Sequence, residues 1–373
     1  EVHNGLSKGG KFFGSGFPFL SFSTVFNNWF LPETLPDLVQ STEKEQTSYS
    51  ILRGDVFITR TSETMDELGM SSVALKDYPN ATYNGFTKRL RPVDNSLLPE
   101  FIGYYFRSKE FRNKFMAFST MTTRASLRNE DLLSLEVPVP ELCIQHRIAD
   151  ILSAYDDLIK NNRKQIKLLE EAAQRLYKEW FVDLRFPGYE HTKITDGVPE
   201  GWEKRTVGSL IDKPIRTKQI PTADYQTDGM IPVIDQSREF ISGYTNDTES
   251  LVQSNVPVIV FGDHTRILKL IQFPFAKGAD GTQLICSSSN HMPQRLLYCS
   301  LLNIDLSNYH YARHFKYLKA EVIFVPTVEI ANLFESITEP LYTKVQRCRE
   351  ICYQAQQARD RLLPKLMTGE VEV

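Results

Sequence analysis

One apolar pattern occurs twice in this chain, at an offset of 186 residues. In the first copy, apolar residues recur every three or four positions from Ile144 to Trp180, and Asn162 is the only polar member of the series. In the second copy, the matching positions from Ile330 to Leu366 are all apolar. Because this spacing is typical of one face of an α-helix, the sequence predicts two long helices.

Neither predicted helix can bury its apolar face alone. Each pattern spans 37 residues, which corresponds to about 55 Å of helix at roughly 1.5 Å per residue. The economical solution is a two-helix coiled coil, and the alternative is two separate helices that cover separate cores. Pro340 and Pro364 fall within the second pattern, where we expect them to kink or interrupt the helix. The predicted seam consists of Ile144, Ile148, Ile151, Tyr155, Asn162, Ile166, Leu169, Leu176, Ile330, Phe334, Ile337, Leu341, Cys348, Cys352, Leu362 and Leu366.

The regions before the two helices have the mixed character of α/β modules. Residues 50–60 and 256–261 are predicted strands, and residues 99–118 and 293–302 are predicted helices. The two modules resemble each other only faintly; the matches include Pro18 with Pro232, and Gly54-Asp55 with Gly262-Asp263.

The predicted fold class is therefore α/β (α+β), with two globular modules separated by two long packed helices in an internal repeat. The predicted segments are module one at residues 1–140, a central helical region at 141–186, module two at 187–326 and a C-terminal helical region at 327–373.

The charge of the chain is balanced, so any nucleic-acid surface must be local. Charged residues make up 24% of the chain and the net charge is −3. Residues 86–128 nevertheless carry nine basic and three acidic residues, and residues 264–319 carry seven and two. Interleaved aromatic residues suit such segments to phosphate contact and base readout, and the alternative is a solvated face over an aromatic core. The candidate DNA-binding residues are Lys88, Arg89, Arg91, Arg124, Arg128, His264, Arg266, Arg313, His314 and Lys316.

Several enzyme motifs are absent from the sequence. Residues 9–12 do not form a nucleotide-binding phosphate loop, and residues 14–19 lack the third glycine of a dinucleotide fingerprint. Asp263 and His264 follow an apolar run and could serve acid–base or metal chemistry. Because the matched segment of module one has no histidine, we predict no catalytic residue, no metal and no cofactor on this chain. A metal-dependent hydrolase centred on Asp263 and His264 remains an alternative.

The cysteines and the hydropathy indicate the cellular compartment of the protein. The five cysteines form no Cys-x-x-Cys pair, and no stretch approaches the roughly 18 apolar residues of a membrane span. These features predict a soluble protein of a reducing cytoplasm that does not bind a membrane.

Four groups of residues carry a family resemblance that extends over essentially the whole chain. They are residues 179–183 (Glu-Trp-Phe-Val-Asp), residues 199–202 (Pro-Glu-Gly-Trp), residues 262–266 with 278–282, and residues 361–370 at the end. In this order they resemble the specificity subunits of type I restriction-modification enzymes. Each motif alone is weak, and together they are specific.

The resemblance implies a DNA-recognition protein that is not itself catalytic. In this family two target-recognition domains each read one half of a split, asymmetric DNA sequence, and two helical regions pack antiparallel. Two modification subunits would supply adenine methylation with S-adenosylmethionine. Restriction subunits would supply ATP-driven translocation and cleavage, with Mg²⁺. The resemblance also implies that the helical regions dock the modification subunits, in a bacterial or archaeal cytoplasm.

Two modules in one chain also suit a split, asymmetric DNA target on physical grounds. Homodimeric readers select palindromes, whereas two unlike modules can read two unlike half-sites. A separation of about 55 Å would correspond to about 16 base pairs at roughly 3.4 Å per pair.

Two alternatives have different partners. A specificity subunit of a fused restriction-methylation enzyme would differ only in the proteins that it binds. A coiled-coil scaffold whose modules bind proteins would show no salt-sensitive binding of double-stranded DNA.

The repeat also raises an expectation about the start of the chain. The proline of module two that matches Pro18 lies 33 residues after Pro199, whereas only 17 residues precede Pro18. The sequence also begins at Glu1 without methionine. We therefore expect about 16 further residues before Glu1 in the gene, with an edge strand among them.

Overall fold

The chain forms two units in a computed structural model, and each long helix contributes to both. The structure describes residues 1–62, 68–117, 120–121, 125–126, 129–213, 215–253, 257–309 and 313–373. Unit 1 comprises Glu1–Lys160 and Cys352–Val373, and unit 2 comprises Asn161–Ile351. The predicted division into two modules and two helical regions is a division by function, and it stays a prediction.

Unit 1 contains the short strands and short helices of the first module. Its strands are β1 (Val2–Asn4), β2 (Phe13–Leu20), β3 (Asp37–Val39), β4 (Val56–Thr59), β5 (Thr61–Ser62), β6 (Ser71–Val73), β7 (Thr82–Tyr83), β8 (Thr87–Leu90), β9 (Thr120–Met121) and β10 (Ala125–Ser126). Its short helices are α1 (Phe22–Asn27), α2 (Glu43–Ser48), α3 (Pro99–Tyr105), α4 (Lys109–Ala117) and α5 (Asn129–Leu133). The predicted helix over residues 99–118 is thus two helices, α3 and α4.

The long helices are α6 (Leu142–Tyr177) and α9 (Val328–Thr368). Unit 2 contains β11 (Ile194–Thr195), β12 (Val198–Pro199), β13 (Glu203–Thr206), β14 (Ile231–Ile234), β15 (Gly243–Thr245), β16 (Val258–Gly262), β17 (Leu268–Ile271), β18 (Ala276–Lys277), β19 (Thr282–Ile285) and β20 (Val322–Val325). Its short helices are α7 (Gln294–Leu302) and α8 (His314–Ala320).

The sheet topology repeats in the two units. In unit 1, β2 pairs antiparallel with β3 and parallel with β7. In unit 2, β14 pairs antiparallel with β15 and parallel with β18. Pro18 lies opposite Leu38 and Pro232 opposite Tyr244, so the two prolines hold the same register position, as the sequence match predicts.

A second sheet repeats as well, and it corrects one sequence match. Strand β4 lies between β6 and β8, and β16 lies between β17 and β19, with antiparallel pairing throughout. Gly54 precedes β4, whereas Gly262 is the last residue of β16. The matched Gly-Asp pairs therefore lie at opposite ends of equivalent strands. A match of two residues does not show at which end of a strand they lie.

The two long helices run antiparallel where they pack in each unit. In unit 1, Arg359 on α9 pairs with Asp156 on α6, while the Cys352 thiol lies 3.6 Å from the carbonyl oxygen of Ile159. In unit 2, Arg349 lies 2.6 Å from Glu170, and the ring centre of Phe334 lies 6.3 Å from that of Tyr177. Partner numbers on α9 fall as those on α6 rise in both units, which confirms an antiparallel pair.

The helix seam is wider than the predicted stripe. Ile148, Asn162, Phe334, Cys348 and Leu366 are buried. The remaining predicted seam residues are half-buried, with two exceptions: Ile151, Tyr155, Ile166, Leu169, Leu176, Ile330, Leu341, Cys352 and Leu362.

Ile144 and Ile337 are the exceptions, and they lie on the exposed side of their helices, at 36% and 39% exposure. The reason is that each helix also packs on its module. Ile148 and Leu152, for example, share a core cluster with Phe101 of α3. A helix that contacts two neighbours buries a broader face than one seam.

The expected interruption of the second helix at its prolines is wrong. Helix α9 runs unbroken over Pro340 and Pro364. Each proline removes one backbone donor, but buried neighbours such as Tyr342 and Leu363 hold the helix by packing. The irregular helix is instead α6, which ends in a π-helical turn at Lys178–Val182 that buries both Trp180 and Phe181.

Aromatic side chains from the family motifs fill the core of unit 2. The ring of Phe181 lies 5.5 Å from that of Trp202 and 5.2 Å from that of Phe334, between ring centres. Residues 179–183 and 199–202 therefore serve packing, which accounts for the aromatic residues in both motifs.

Candidate nucleic-acid interface

The tip of the β16–β17 hairpin presents three exposed side chains. Gly262 and Ile267 close the tip through a backbone hydrogen bond of 2.8 Å. His264, Thr265 and Arg266 are exposed between them. Arg266 adopts a left-handed φ of 62°, a conformation that costs free energy for a residue with a side chain.

Asp263 fastens this tip to the start of helix α8. Asp263 is 4% exposed. Its carbonyl oxygen accepts the backbone N–H of His314 at 2.9 Å, and its Oδ1 accepts that of Phe315 at 2.8 Å. This carboxylate is therefore committed to positioning, and the described residues contain no cluster of three His, Cys, Asp or Glu side chains that could hold a metal ion.

His314 is a buried structural residue. Its Nδ1 lies 2.8 Å from the carbonyl oxygen of Asp263, and its Nε2 lies 2.8 Å from that of Tyr309. The ring is 4% exposed, so it does not reach a ligand in this conformation. Arg313, which directly precedes α8, and Lys316 on α8 are exposed.

Gln236, just after β14, joins three loops at this end of unit 2. Its Oε1 accepts the backbone N–H of His264 at 3.1 Å, and its Nε2 donates to the carbonyl oxygen of Asp280 at 2.7 Å. Its own carbonyl oxygen accepts the Thr265 hydroxyl at 2.7 Å. At Gly281, where φ is +81°, a Cβ would lie 2.6 Å from Gln236 Nε2. Glycine is favoured at this position because the left-handed φ strains a residue with a side chain.

The resulting surface combines exposed cations with hydrogen-bonding groups. Arg266, Arg313, Lys316 and Arg238 are exposed, and Lys277 is half-buried. Burial lowers the pKa of the Lys277 ammonium group. One guanidinium nitrogen of Arg266 donates to the carbonyl oxygen of Leu306 at 3.0 Å. The other N–H groups of this guanidinium stay available to a ligand. Such a set is suited to phosphate oxygens and base edges.

Three of the basic residues predicted in module one to bind DNA, Lys88, Arg89 and Arg91, make their contacts inside unit 1. Lys88 is 5% exposed and its ammonium group contacts the Asn129 side chain, while burial lowers its pKa. Arg89 is 3% exposed and donates to the carbonyl oxygen of Ser50 at 2.7 Å.

Arg91 contacts the buried carboxylate of Asp55 with Nε at 2.7 Å and Nη2 at 2.6 Å, and this hydrogen bond raises the pKa of the guanidinium. The three cations of strand β8 and its end therefore stabilise the fold. Arg124 and Arg128 lie outside the described residues.

Sequence analysis missed Gln236 and Arg238, as well as the buried Lys269 and the half-buried Arg107. The available signal for Lys269 was its position as the single charged residue in the apolar strand Leu268–Ile271. No local signal marks Gln236, because its three partners come from distant parts of the sequence.

Comparison with known proteins found a family model that matches the first part of the chain. Residues 6–171 match the family model described as the type I restriction modification DNA specificity domain. Together with the relatives below, this match shows that the chain is similar to the specificity subunits of type I restriction-modification enzymes. The resemblance inferred from the four motifs is thereby confirmed.

Similar proteins include two curated specificity subunits. The type I restriction enzyme MjaIX specificity subunit of Methanocaldococcus jannaschii is 27% identical over 328 residues, which cover 81% of this chain and 75% of the relative. The HindI specificity subunit of Haemophilus influenzae is 28% identical over 185 residues, 48% of this chain and 39% of the relative.

A solved structure supports the fold. The crystal structure of a type I restriction-modification S subunit from M. genitalium matches with a TM-score of 0.57 at 14% identity, over 98% of this chain and 93% of that chain. The predicted fold class, with mixed modules and two long packed helices, is confirmed. Within the described residues, no helix is long and apolar enough to cross a membrane.

Proposed function

We propose that this specificity subunit reads a bipartite, asymmetric DNA target, one half-site with each unit. The observation that carries the proposal is the repeated topology with unlike side chains. Strands β2, β3 and β7 repeat as β14, β15 and β18, but the segments that follow the equivalent strands β2 and β14 differ in sequence and structure. A shared scaffold with different reading residues suits two different half-sites.

In unit 2 the proposed reading surface is the hairpin tip with the start of α8. Arg266 and Gln236 supply donors and acceptors for base edges, while Arg313 and Lys316 supply charge for phosphate oxygens. Lys88, Arg89 and Arg91 support the corresponding surface of unit 1 from inside. Arg124 and Arg128 stay candidates for direct contact there.

The chain serves as a noncatalytic partner in this proposal. Two modification subunits bind its helices and methylate adenine with S-adenosylmethionine, and restriction subunits use ATP and Mg²⁺ to translocate and cleave DNA. The subunit positions these partners on its target, in the cytoplasm of its host.

Methylation mapping tests the proposal. Host DNA is sequenced for modified adenine with the modification subunits present and with or without this chain. We expect a bipartite, nonpalindromic motif that requires the chain. A motif that persists without the chain, or that is palindromic, would contradict the proposal.

A further inference from the structure

A buried lysine in unit 2 binds only backbone carbonyl groups. Lys269 on β17 is 4% exposed. Its ammonium group donates to the carbonyl oxygen of Asp235 at 2.9 Å and to that of Glu239. Among the residues that the structure describes, no carboxylate lies within ion-pair distance of Lys269. Burial lowers the pKa of Lys269 to about 8, and the carboxylates of Asp235 and Glu239 oppose this shift.

Unit 1 contains a second cation that binds several backbone carbonyl groups, and this one is half-buried. Arg107, which follows helix α3, donates with Nη2 to the carbonyl oxygens of Val25 at 2.9 Å, Phe26 at 2.9 Å and Asn28 at 3.0 Å. Its Nε donates to the carbonyl oxygen of Ser71 at 2.6 Å. Burial lowers its pKa to about 10, and the described residues provide it with no ion pair.

Both cations hold the segment that follows the same strand of the repeat. Residues 235–239 follow β14, and residues 25–28 lie in and after α1, which follows β2. Lys269 reaches its segment from a hairpin strand, whereas Arg107 reaches its segment from the end of a helix. The two residues do not correspond in the sequence repeat, so the repeat alone does not account for this shared arrangement.

A buried cation without a carboxylate partner is costly, because carbonyl dipoles replace its hydration only in part. In exchange for this free-energy cost, one cation fixes the direction of several carbonyl groups at once. In unit 2 the held segment continues directly into the reading surface. Lys269 holds the carbonyl of Asp235, and the next residue, Gln236, holds His264 and Thr265 at the hairpin tip.

We propose that Lys269 and Arg107 are positioning residues for DNA recognition, each of which sets the base preference of its own unit without touching DNA. Each cation fixes the backbone of the segment after the central strand, and thereby the side chains that meet the bases. This inference rests on the proposed function, since it assumes that each unit reads one half-site.

Two variants test the inference, and each serves as the control for the other. Lys269→Met and Arg107→Met remove the donors and keep an unbranched apolar side chain. Each variant is assembled with the modification subunits and offered a duplex DNA library in which both half-sites are randomised. Methylation is then counted for every base at every position.

We expect Lys269→Met to lower base discrimination about tenfold in one half-site and to leave the other unchanged, because one good base contact is worth about that factor. Arg107→Met should do the reverse. Lys269→Arg, which keeps the donors, should restore much of the discrimination. A merely structural defect would lower methylation of all sequences alike and would not separate the half-sites.

The inference is overturned if the folded variants keep wild-type discrimination in both half-sites, or lose it equally in both. If a methionine variant does not fold, Lys269→Gln and Arg107→Gln keep part of the hydrogen bonding, and the same two results decide. A wild-type complex without any bipartite preference would instead overturn the proposed function.

Discussion

Replacement of Lys269 by methionine is expected to remove a pH dependence from the stability of unit 2. The pKa of this lysine falls from 10.5 to about 8 in the folded protein because the ammonium group is buried. Between these two values the unfolded chain binds more protons than the folded chain. The free energy of unfolding therefore rises with pH in this window.

The size of the effect follows from the two pKa values. A shift of one pKa unit corresponds to about 1.4 kcal/mol. Since the folded protein releases this proton at about pH 8, the contribution of Lys269 to the free energy of unfolding should increase by about 1.4 kcal/mol between pH 7 and pH 9. Below pH 7 the contribution should be flat, because both states are protonated there.

Tryptophan fluorescence can isolate unit 2 in this measurement. The chain has three tryptophans, and Trp180 and Trp202 both lie in the core of unit 2. In a Trp29→Phe background, urea unfolding followed by fluorescence reports on unit 2. The control is Lys344→Met, which removes an exposed lysine from the same unit.

The control should keep the rise in stability between pH 7 and pH 9, and Lys269→Met should lose it. Equal slopes in all three proteins would refute the argument, because they would show that Lys269 is not held as a buried cation.

Three further predictions concern the ion pair of unit 1 and the reading surface of unit 2. Asp55→Asn should lower the free energy of unfolding of unit 1 by about 3 to 5 kcal/mol, since it leaves the Arg91 guanidinium without its buried carboxylate; urea denaturation that shows less than about 1 kcal/mol would contradict this. Gly281→Ala should weaken recognition of one half-site only, because a Cβ at this left-handed position meets Gln236, and the methylation library measures it; an unchanged half-site would count against the assigned surface. Alanine at both Arg313 and Lys316 should reduce the slope of log binding constant against log salt by about two, whereas an unchanged slope would show that these cations face solvent only.

The sequence by itself determined the elements whose patterns are local. Apolar residues at spacings of three and four predicted both long helices, and the fixed offset between them predicted the repeat. Pro18 and Pro232 predicted equivalent strands, which the register confirms. These features can be read from the sequence because helical periodicity and strand register depend on neighbouring residues.

The tertiary structure alone decided which charged residues face solvent. Lys88 and Arg89 belong to a basic segment, yet strand β8 lies between β1 and β4, and partners far along the chain bind their side chains. Asp263 followed by His264 predicted a possible acid–base pair. The Asp263 carboxylate instead accepts a hydrogen bond from a backbone N–H of α8. The burial of a charge depends on carbonyl groups and carboxylates that distant segments supply, and a count of charges along the chain contains no information about those contacts.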